Sequence, residues 1–600
     1  MCGIIACRTP VPALEFLLPG LRRLEYRGYD SAGVAVHTTT GAIARLRAVG
    51  RIETLQKRLP GWAGPDLDGV GIGHTRWATH GAVTEQNAHP HNDCSGRISL
   101  VHNGIIDNAG ELRAELAAAG HVFESVVDSE VIAHLVEDRF DELGDLRAAV
   151  RAALTRLRGS WALAVLQGTT GRLVVAAHRS PLVVARGEHG DFAASDPAAI
   201  TEWVEHLRVL RDGDVVELAD EHRWSGLEAP LAAPPAVPCT WSAETVQLGD
   251  YRDFMAKEID QQPQVAARIL DELGPGIVDG AVWTGLGLPP LRRIHMLACG
   301  TSLHAGQVIA GLLRRVGGIP VTLSVASEVD EEILEADTLT VAISQSGETA
   351  DVLRAVEGSS AASGSPLLAL TNNPHSTLAR RADAVLSCSA GPEIAVAATK
   401  TFLSQVLTGV GVALSGLVAC GRLDTTRARA LVTELDALPD RLATAALTAN
   451  QLLPTLAAEL TQASGFLFLA RGTGLPYAAE GALKLKELTY RWAQSYPAGE
   501  LKHGPLALVE AGTPVIVIDD GDPRMPGNLA AVQARGARMI SIGGPGCAVP
   551  VILPRATAGP PPWGPLETVV PLQVLARTLA LALGRDIDKP RNLAKSVTVE

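Results

Sequence analysis

The fold class of this 600-residue chain follows most directly from one stretch, Thr338-Leu-Thr-Val-Ala-Ile-Ser-Gln-Ser-Gly-Glu-Thr349. Its first six residues are mostly apolar and β-branched, which is typical of a buried strand. Small and polar residues follow from Ser344 to Thr349, and a helical pattern comes next. A strand, a loop and a helix in this order predict one repeat of a parallel α/β sheet.

Two further segments repeat this pattern. The strand-like run 293–298 opens onto Cys299-Gly-Thr-Ser302, and the run 465–470 opens onto Arg471-Gly-Thr-Gly474. A helical pattern follows each of them. The recurrence predicts two duplicated α/β domains with parallel sheets.

The first part of the chain has a different texture. Short apolar runs with turn signals alternate with helical patterns up to about residue 225, which predicts a mixed α+β layer structure. Residues 228–238 are rich in Pro and Ala, and this composition favours a linker over a helix or sheet. The sequence therefore divides into an α+β domain, a linker and two α/β domains.

Composition excludes several classes of function. The formal charge of −13 argues against nucleic acid as a partner, and the eight cysteines lack metal-type spacing, which indicates reduced thiols. Residues 401–421 carry no charge and are long enough to span a bilayer, but their polar and glycine content favours a buried central helix. With no signal-peptide pattern, we expect a cytoplasmic protein with no membrane partner, no metal and no cofactor.

Cys2 directly follows the initiator methionine. If Met1 is removed, Cys2 carries a free α-amine beside its thiol, and an α-amine with a pKa of about 7.7–8.0 can accept the thiol proton near neutrality. Nucleophile and base would then belong to one residue. The alternative from these residues alone is that Cys2 is a small apolar residue that starts a strand.

Other residues suit an amino-acid amide substrate. A strand-like run precedes Asn103-Gly104, where an Asn side chain and a glycine N–H in a turn could form an oxyanion hole, although Asn-Gly is also a common turn. Arg76 suits bidentate binding of a carboxylate. Asp128 could bind the ammonium group, and its alternative role is to cap a helix.

The loop after residue 343 suits a phosphate. The hydroxyls of Ser344, Ser346 and Thr349 and the backbone N–H groups stand at a predicted helix N-terminus, a combination that favours a dianion. Because no Walker-type lysine is present, a sugar monophosphate is favoured over a nucleoside triphosphate. A solvated turn is the alternative interpretation.

A carboxylate and lysines suited to sugar chemistry lie further along the chain. Positions 480, 484 and 487 share one helix face, which brings Lys484 and Glu487 together. Proton transfer between adjacent sugar carbons needs such a carboxylate, and a surface ion pair is the alternative. Lysine is scarce, with eight among the 52 basic residues, and Lys595 in the polar tail is the candidate for a Schiff-base amine.

The first domain resembles the N-terminal-nucleophile (class II) glutamine amidotransferase domain. The matching motifs are long and keep their order: Cys2-Gly-Ile4, Leu24-Glu-Tyr-Arg-Gly-Tyr-Asp-Ser-Ala-Gly33, the Arg76 segment, Asn87-Ala-His-Pro-His91, Val101-His-Asn-Gly104 and Asp128. The resemblance implies a four-layer α+β glutaminase domain. It also implies that glutamine is hydrolysed through a thioester on Cys2 and that ammonia is released.

The rest of the chain resembles two α/β sugar-isomerase (SIS) domains, and the whole chain is similar to the glutamine–fructose-6-phosphate aminotransferase (isomerizing) family. This implies conversion of D-fructose 6-phosphate and L-glutamine to D-glucosamine 6-phosphate and L-glutamate by a homodimer, with ammonia channelled between the sites. The expected domain boundaries are glutaminase 2–227, linker and connecting helix 228–283, SIS domain 1 284–425, SIS domain 2 454–590 and a catalytic tail 591–600.

The same resemblance implies a role for individual residues. Glu487 would carry a proton between C1 and C2 with Lys484 nearby, His503 would open the sugar ring, Lys595 would form the imine and Trp77 would gate ammonia. The expected catalytic residues are Cys2, Asn103, Gly104, Glu487, His503, Lys595 and Lys484. The expected substrate-binding residues are Arg76, Trp77, Thr79, His80, His89, Asp128, Ser302, Ser344, Gln345, Ser346, Thr349 and Glu393.

Several positions depart from the family pattern, notably Leu303, Ala398 and the acidic stretch 329–332. They leave open a paralogue that aminates a different ketose phosphate. A non-catalytic sugar-phosphate sensor is a further alternative, which the presence of Cys2 and Glu487 disfavours. Purine-pathway amidophosphoribosyltransferases share only the first domain.

Overall fold

The computed structural model describes residues 2–62, 66–78, 80–227, 229, 231–239, 241, 245–329, 335, 337–551, 553 and 561–597. The chain divides into two compact units. The first consists of Met1–Gln247 together with Ala594–Glu600, and the second is Leu248–Leu593.

The first unit contains two sheets and five α-helices among its described residues. In chain order its elements are β1 Gly3–Arg8, α1 Leu14–Leu24, β2 Ser31–Thr38, β3 Ile43–Val49, α2 Ile52–Arg58, β4 Leu67–Arg76, β5 His91–Asn92, β6 Ile98–Ile106, α3 Ala109–Ala118, α4 Asp128–Leu143, α5 Leu146–Leu154, β7 Gly159–Gln167, β8 Leu173–His178, β9 Val183–Gly187, β10 Gly190–Ala194, β11 His206–Val209, β12 Val215–Leu218, β13 Arg223–Ser225 and β14 Val237–Pro238.

The two sheets pack face to face between layers of helices. Their strand orders are β14-β11-β9-β10-β1-β4-β2-β3 and β13-β12-β8-β7-β6-β5. Side chains alternate along β1, so that Ile4 and Ala6 join the core between the sheets while Ile5 and Cys7 face α1 and α2. Helices α3 to α5 cover the outer face of the second sheet. The four-layer α+β arrangement is confirmed.

Two local expectations for this unit are wrong. Asn103 and Gly104 do not form a turn but lie inside β6, where both pair with β7. The end of the Pro/Ala-rich stretch also pairs as a strand, since Val237 and Pro238 form β14 beside β11. Proline is tolerated there because β14 is an edge strand.

The second unit contains two sheets and twelve α-helices among its described residues. Its elements are α6 Phe254–Asp260, α7 Gln262–Ile277, α8 Ala281–Gly285, β15 Arg293–Ala298, α9 Gly300–Gly317, β16 Val321–Val325, β17 Thr338–Ser344, α10 Ala350–Ser363, β18 Leu367–Thr371, α11 Thr377–Arg381, β19 Ala384–Ser387, α12 Lys400–Ala419, α13 Thr425–Asp436, α14 Leu438–Glu459, β20 Gly465–Ala470, α15 Leu475–Thr489, β21 Trp492–Pro497, β22 Pro514–Asp519, α16 Met525–Gln533, β23 Arg538–Gly543, β24 Val549–Pro550 and α17 Val569–Ala582.

Both sheets of the second unit are parallel and share one topology. Their orders are β16-β15-β17-β18-β19 and β21-β20-β22-β23-β24. In an open parallel sheet of this kind, the connection from the first strand leads to one side of it and a later connection leads to the other side. Ligands bind at the carboxyl ends of the two strands where this change of direction occurs. In the first sheet these strands are β15 and β17, which places Ser302 and Ser344 at one edge.

The uncharged stretch 401–421 belongs to α12. This helix is long and apolar enough to cross a membrane by length and composition, but 89% of its most apolar window is buried inside the protein. It packs against α7 and α9 in the core that the second unit's two sheets share. It is a buried central helix, as its polar and glycine residues indicated.

Candidate active sites

The Cys2 thiol lies beside the end of β4. The Trp77 backbone N–H donates to Sγ over 3.2 Å, and Sγ lies 3.5 Å from the Trp77 carbonyl oxygen. Burial raises the pKa of the Cys2 thiol, whereas the Trp77 N–H and the Arg76 charge lower it. A thiol in this setting needs a base close by, and the α-amine of a processed Cys2 is such a base.

Asn103 stands next to Cys2. Its Nδ2 donates to the Cys2 carbonyl oxygen over 3.0 Å, and its Oδ1 lies 3.1 Å from Nε2 of His74. Gly104 has φ +138°, and a Cβ there would lie 2.1 Å from the Ser160 carbonyl oxygen, so only glycine fits. The pair expected to bind the oxyanion therefore lies on a rigid strand beside the nucleophile.

Arg76 lies within electrostatic range of Cys2, Asp30 and Asp128. Burial lowers its pKa, and the charges of these three residues act in the opposite direction. Its guanidinium donates to the carbonyl oxygens of the loop that follows, including that of His80. Asp30 accepts from the Ala78 N–H over 2.8 Å, a contact that sequence reasoning missed.

The remaining glutamine-site candidates differ in position. Asp128 does not cap α4; it is the first residue of that helix, and its Oδ2 accepts from the Ile106 N–H over 2.9 Å. Trp77 is partly buried, with its ring edge-on to Tyr29, and the His80 side chain is exposed. Thr79 lies outside the described residues.

His89 belongs to a buried group of histidines behind Cys2. Its ring stacks on His74 with centroids 4.0 Å apart, and its Nδ1 accepts from the His102 N–H over 3.2 Å. Burial lowers the pKa of His74 to about 3, and it also lowers the pKa values of His89 and His102. All three are therefore neutral at neutral pH. These contacts show that His89 helps to pack the interior behind Cys2. Its expected part in substrate binding stays a prediction.

These histidines predict acid sensitivity. The pKa of each of these histidines is lower in the folded chain than in the unfolded chain. Between about pH 6.5 and the pKa of the folded state, the unfolded chain therefore binds more protons, and the stability decreases as the pH is lowered. At about pH 5.5 we expect a loss of about 1 kcal/mol for each buried histidine. The melting temperature of the full chain should therefore drop between about pH 8 and pH 5.5. The exposed His206 supplies the control, because His206→Gln should keep the same pH dependence; equal melting temperatures at both pH values would contradict the expectation.

The loop after β17 has a tightly bonded conformation. Ser344 Oγ lies 2.9 Å from Thr349 Oγ1 and accepts from the Gly347 N–H over 3.1 Å. The Ser346 hydroxyl accepts from the Glu348 N–H over 3.1 Å. Gly347 has φ +66°, and a Cβ there would lie 2.0 Å from Ser376 Oγ, so the loop requires glycine. The hydroxyls of Ser344, Ser346 and Thr349 are thus held at fixed positions just before α10, the kind of position at which a helix N-terminus favours a phosphate.

The N-terminus of α9 connects this edge to the helix that carries Lys484. Ser302 Oγ accepts from Gln405 Nε2 over 3.0 Å. The preceding residue, Thr301, accepts from Lys484 Nζ over 3.0 Å and donates to Glu480 Oε1 over 3.1 Å. The structure therefore places Ser302, one of the phosphate candidates, next to a residue that contacts Lys484 and Glu480.

Lys484 forms a buried network, not a surface ion pair. Its side chain is 1% exposed, and Nζ lies 2.7 Å from Glu487 Oε2 and 3.4 Å from Glu480 Oε1. Burial works to lower the pKa of Lys484, but the two carboxylates raise it above its ordinary value. His304 also lies 2.7 Å from Glu480. Lys484 is thus a fixed ammonium that orients Glu487, whose side chain is 20% exposed.

Removal of this ammonium should be costly. In Lys484→Met the fully buried Glu480 loses its main counter-charge, so we expect a loss of about 3–5 kcal/mol in the free energy of unfolding. Urea unfolding of the full chain would measure it. The double variant Glu480→Gln/Lys484→Met should recover most of the loss, and Lys486→Met, at an exposed position of the same helix, is the matched control. Similar unfolding of the Lys484 and Lys486 variants would contradict the argument.

Three other candidates have surroundings of their own, although the charge of Glu393 also helps to raise the pKa of Lys484. Glu393 is buried, and its Oε1 accepts from the N–H groups of Thr399 and Thr401 at the start of α12, over 2.9 and 3.0 Å. His503 is exposed, and among the described residues no hydrogen bond or ion pair links it to Glu487. Lys595 groups with the first unit.

The two arrangements define a class of protein, a glutamine amidotransferase domain joined to two sugar-isomerase domains. Family comparison agrees: the glutamine amidotransferase domain matches residues 74–202, and the SIS domain matches residues 288–414 and 459–544. The chain belongs to the glutamine–fructose-6-phosphate aminotransferase (isomerizing) family.

Full-length relatives support this assignment. The chain is 42% identical over 618 residues to the Thermus thermophilus protein of that name and 41% identical over 623 residues to the one from Streptomyces coelicolor, with 100% of both chains covered in each case. The solved C-terminal domain of the Francisella tularensis glucosamine-fructose-6-phosphate aminotransferase has a TM-score of 0.52 and 30% identity. It covers 57% of this chain, and 99% of that domain is matched.

Proposed function

We propose that the protein converts D-fructose 6-phosphate and L-glutamine to D-glucosamine 6-phosphate and L-glutamate. Glutamine would be hydrolysed at Cys2, and the ammonia would be channelled past Trp77 to the sugar site. The full-length similarity to aminotransferases of this name supports the proposal.

In the glutaminase step, the Cys2 thiolate attacks the amide carbon of glutamine after the α-amine has taken the thiol proton. Asn103 and the Gly104 N–H stabilise the oxyanion that forms. Collapse of this intermediate leaves a thioester and releases ammonia, and water then hydrolyses the thioester to glutamate. Arg76 binds the substrate carboxylate and Asp128 its ammonium group, with Thr79, His80 and His89 as further binding residues.

In the sugar step, the phosphate binds at Ser302, Ser344, Gln345, Ser346 and Thr349, with Glu393 as a further binding residue. His503 opens the ring, and the Lys595 amine condenses with the C2 carbonyl, which releases water. Ammonia then displaces the lysine, and Glu487 moves a proton from C1 to C2 while Lys484 holds its carboxylate in place.

The observation that carries the proposal is the position of Thr301. It follows the turn at the carboxyl end of β15, one residue before Ser302, and it bonds to both Lys484 and Glu480. A phosphate held at this edge would direct the sugar carbons toward the carboxylate of Glu487. A site that only senses sugar phosphates has no need for a buried lysine and an accessible carboxylate.

The reaction itself tests the proposal. Fructose 6-phosphate and amide-labelled glutamine should yield labelled glucosamine 6-phosphate by mass spectrometry. Amination of another ketose phosphate in its place would favour the paralogue, to which Leu303, Ala398 and the 329–332 stretch point. Binding of sugar phosphate without turnover of either substrate would favour the sensor.

We further propose the domain boundaries 2–227, 228–283, 284–425, 454–590 and 591–600. A cytoplasmic homodimer without nucleic-acid or membrane partners is the assembly that the family resemblance and the charge of −13 support. Sedimentation of the purified chain would measure the oligomeric state.

A further inference from the structure

A group of four potential metal ligands lies in the first unit, apart from the residues assigned to glutamine. Cys94 follows β5, His121 follows α3, and His134 and Glu137 lie on consecutive turns of α4. One ligand atom from each of the four lies within 4.8 Å of the other three. His134 and Glu137 are buried, His121 is partly buried and Cys94 is exposed, so the cluster lies at the surface with one accessible side.

Five of the six distances between these atoms are close to the edges of a coordination tetrahedron, and the sixth is within 4.8 Å. Cys94 Sγ lies 3.5 Å from His121 Nδ1 and 3.4 Å from His134 Nδ1, and the two Nδ1 atoms are 3.3 Å apart. Glu137 Oε2 lies 3.1 and 3.3 Å from the same two nitrogens. Tetrahedral zinc with bonds of about 2.3 Å to sulfur and 2.0–2.1 Å to nitrogen or oxygen requires edges of about 3.3–3.6 Å.

The groups around the cluster point to a cation at its centre. His121 Nε2 lies 2.8 Å from Asp138 Oδ1 and can donate to it, and in that neutral tautomer Nδ1 presents a lone pair to the cluster. A carboxylate on the far nitrogen is the usual partner of a metal-binding histidine. The Val122 N–H lies 3.5 Å from Cys94 Sγ, as a donor to a thiolate would. A zinc ion between Nδ1 and Glu137 Oε2, which lie 3.1 Å apart, would accept a lone pair from each of them.

We propose that Cys94, His121, His134 and Glu137 bind one zinc ion. One sulfur, two imidazole nitrogens and one carboxylate oxygen are ligands that zinc accepts in tetrahedral geometry, and four protein ligands characterise a structural site. Short-motif spacing could not reveal it, because three separate segments supply the ligands. The expectation of a metal-free chain, based on that spacing, is replaced by this proposal.

The site would tie two loops to α4. Arg113 holds the segment between His121 and Asp128 by donating to the carbonyl oxygens of Ser125 and Val127 over 3.0 and 2.6 Å. Glu130 of α4 holds it as well, by accepting from the N–H groups of Glu124 and Ser125 over 2.6 and 2.8 Å. Zinc would fix both the start of this segment and the loop that carries Cys94 to α4. Since α4 begins at Asp128, the zinc would stabilise the helix that carries a residue of the proposed glutamine site.

Metal content of the full chain tests the proposal. Protein purified without chelators should contain about one zinc per chain, and Cys94→Ser and His121→Gln should lose most of it. Cys239→Ser is the matched control, because Cys239 is a partly buried thiol of the same unit that contacts Thr201 and lies outside the cluster. Cobalt in place of zinc should give the visible spectrum of a tetrahedral site with a thiolate band that Cys94→Ser abolishes.

A titration of the zinc-stripped wild-type chain against a chromophoric chelator keeps the test independent of how the variants fold. A zinc dissociation constant of about 10 nM or tighter supports the site. No bound zinc after purification and no site tighter than about 1 μM would overturn the proposal. Equal zinc content in the wild type, Cys94→Ser and His121→Gln would overturn it too.

Discussion

Replacement of Cys2 by alanine is expected to reduce glutamine-dependent formation of glucosamine 6-phosphate at least about a thousandfold. The Trp77 N–H and Asn103 are placed around Sγ and the Cys2 backbone, and neither can act as a nucleophile. Among the described residues no second thiol lies at this position, because the side chains nearest to the start of β1 are those of Thr75 and Leu24. Glutamate release from glutamine measures the loss.

The sugar-isomerase activity of the same variant is the control for correct folding. Cys2→Ala should still interconvert fructose 6-phosphate and glucose 6-phosphate at the wild-type rate, since Glu487, Lys484 and His503 belong to the other unit. Cys239→Ser should retain both activities. Normal glutamine turnover by Cys2→Ala would remove Cys2 from the mechanism.

A substitution at Gly3 is a poor test of whether Met1 is removed. A bulky residue at position 3 would block methionine removal, but a Cβ on Gly3 would already lie 2.6 Å from Thr75 Oγ1 and 2.7 Å from Leu24 Cβ. Such a variant would disturb the packing of β1 as well. Mass determination of the wild-type N-terminus is the cleaner measurement.

Sequence patterns were most informative where one period governs a whole element. The strands 293–298 and 465–470 begin and end as predicted, and the shared helix face of positions 480, 484 and 487 appears as two ion pairs to Lys484. These features depend on local alternation or on the helical repeat, both of which a single sequence contains.

Contacts between distant segments were the part that the sequence could not reveal. Thr301 joins the two halves of the sugar site although 183 residues separate it from Lys484. Asn103-Gly104 resembled a turn, but its pairing with β7 makes it a strand. The cluster of Cys94, His121, His134 and Glu137 becomes visible only when α3, α4 and β5 pack together.

Lys595→Arg is expected to bind fructose 6-phosphate but to form no covalent adduct with it. An imine needs a neutral amine, and arginine retains the charge without being able to form one. Reduction with borohydride should add the mass of a reduced hexose phosphate to the C-terminal peptide of the wild type and leave the variant unlabelled. Synthesis should fall at least about a thousandfold in the variant. Lys589→Arg, a few residues earlier, is the matched control and should still be labelled.

The choice of Lys595 over other lysines rests on protonation. Lys484 is the lysine in contact with Glu487, but it is 1% exposed and its pKa is raised by two carboxylates, so it presents no neutral amine to a carbonyl. Lys400 is buried as well, and its Nζ donates to Gln261 over 2.9 Å. A label on Lys484 or Lys502 after reduction would contradict this reasoning, because the reactive amine would then lie in the second sugar-isomerase domain and the tail would act only as a cover.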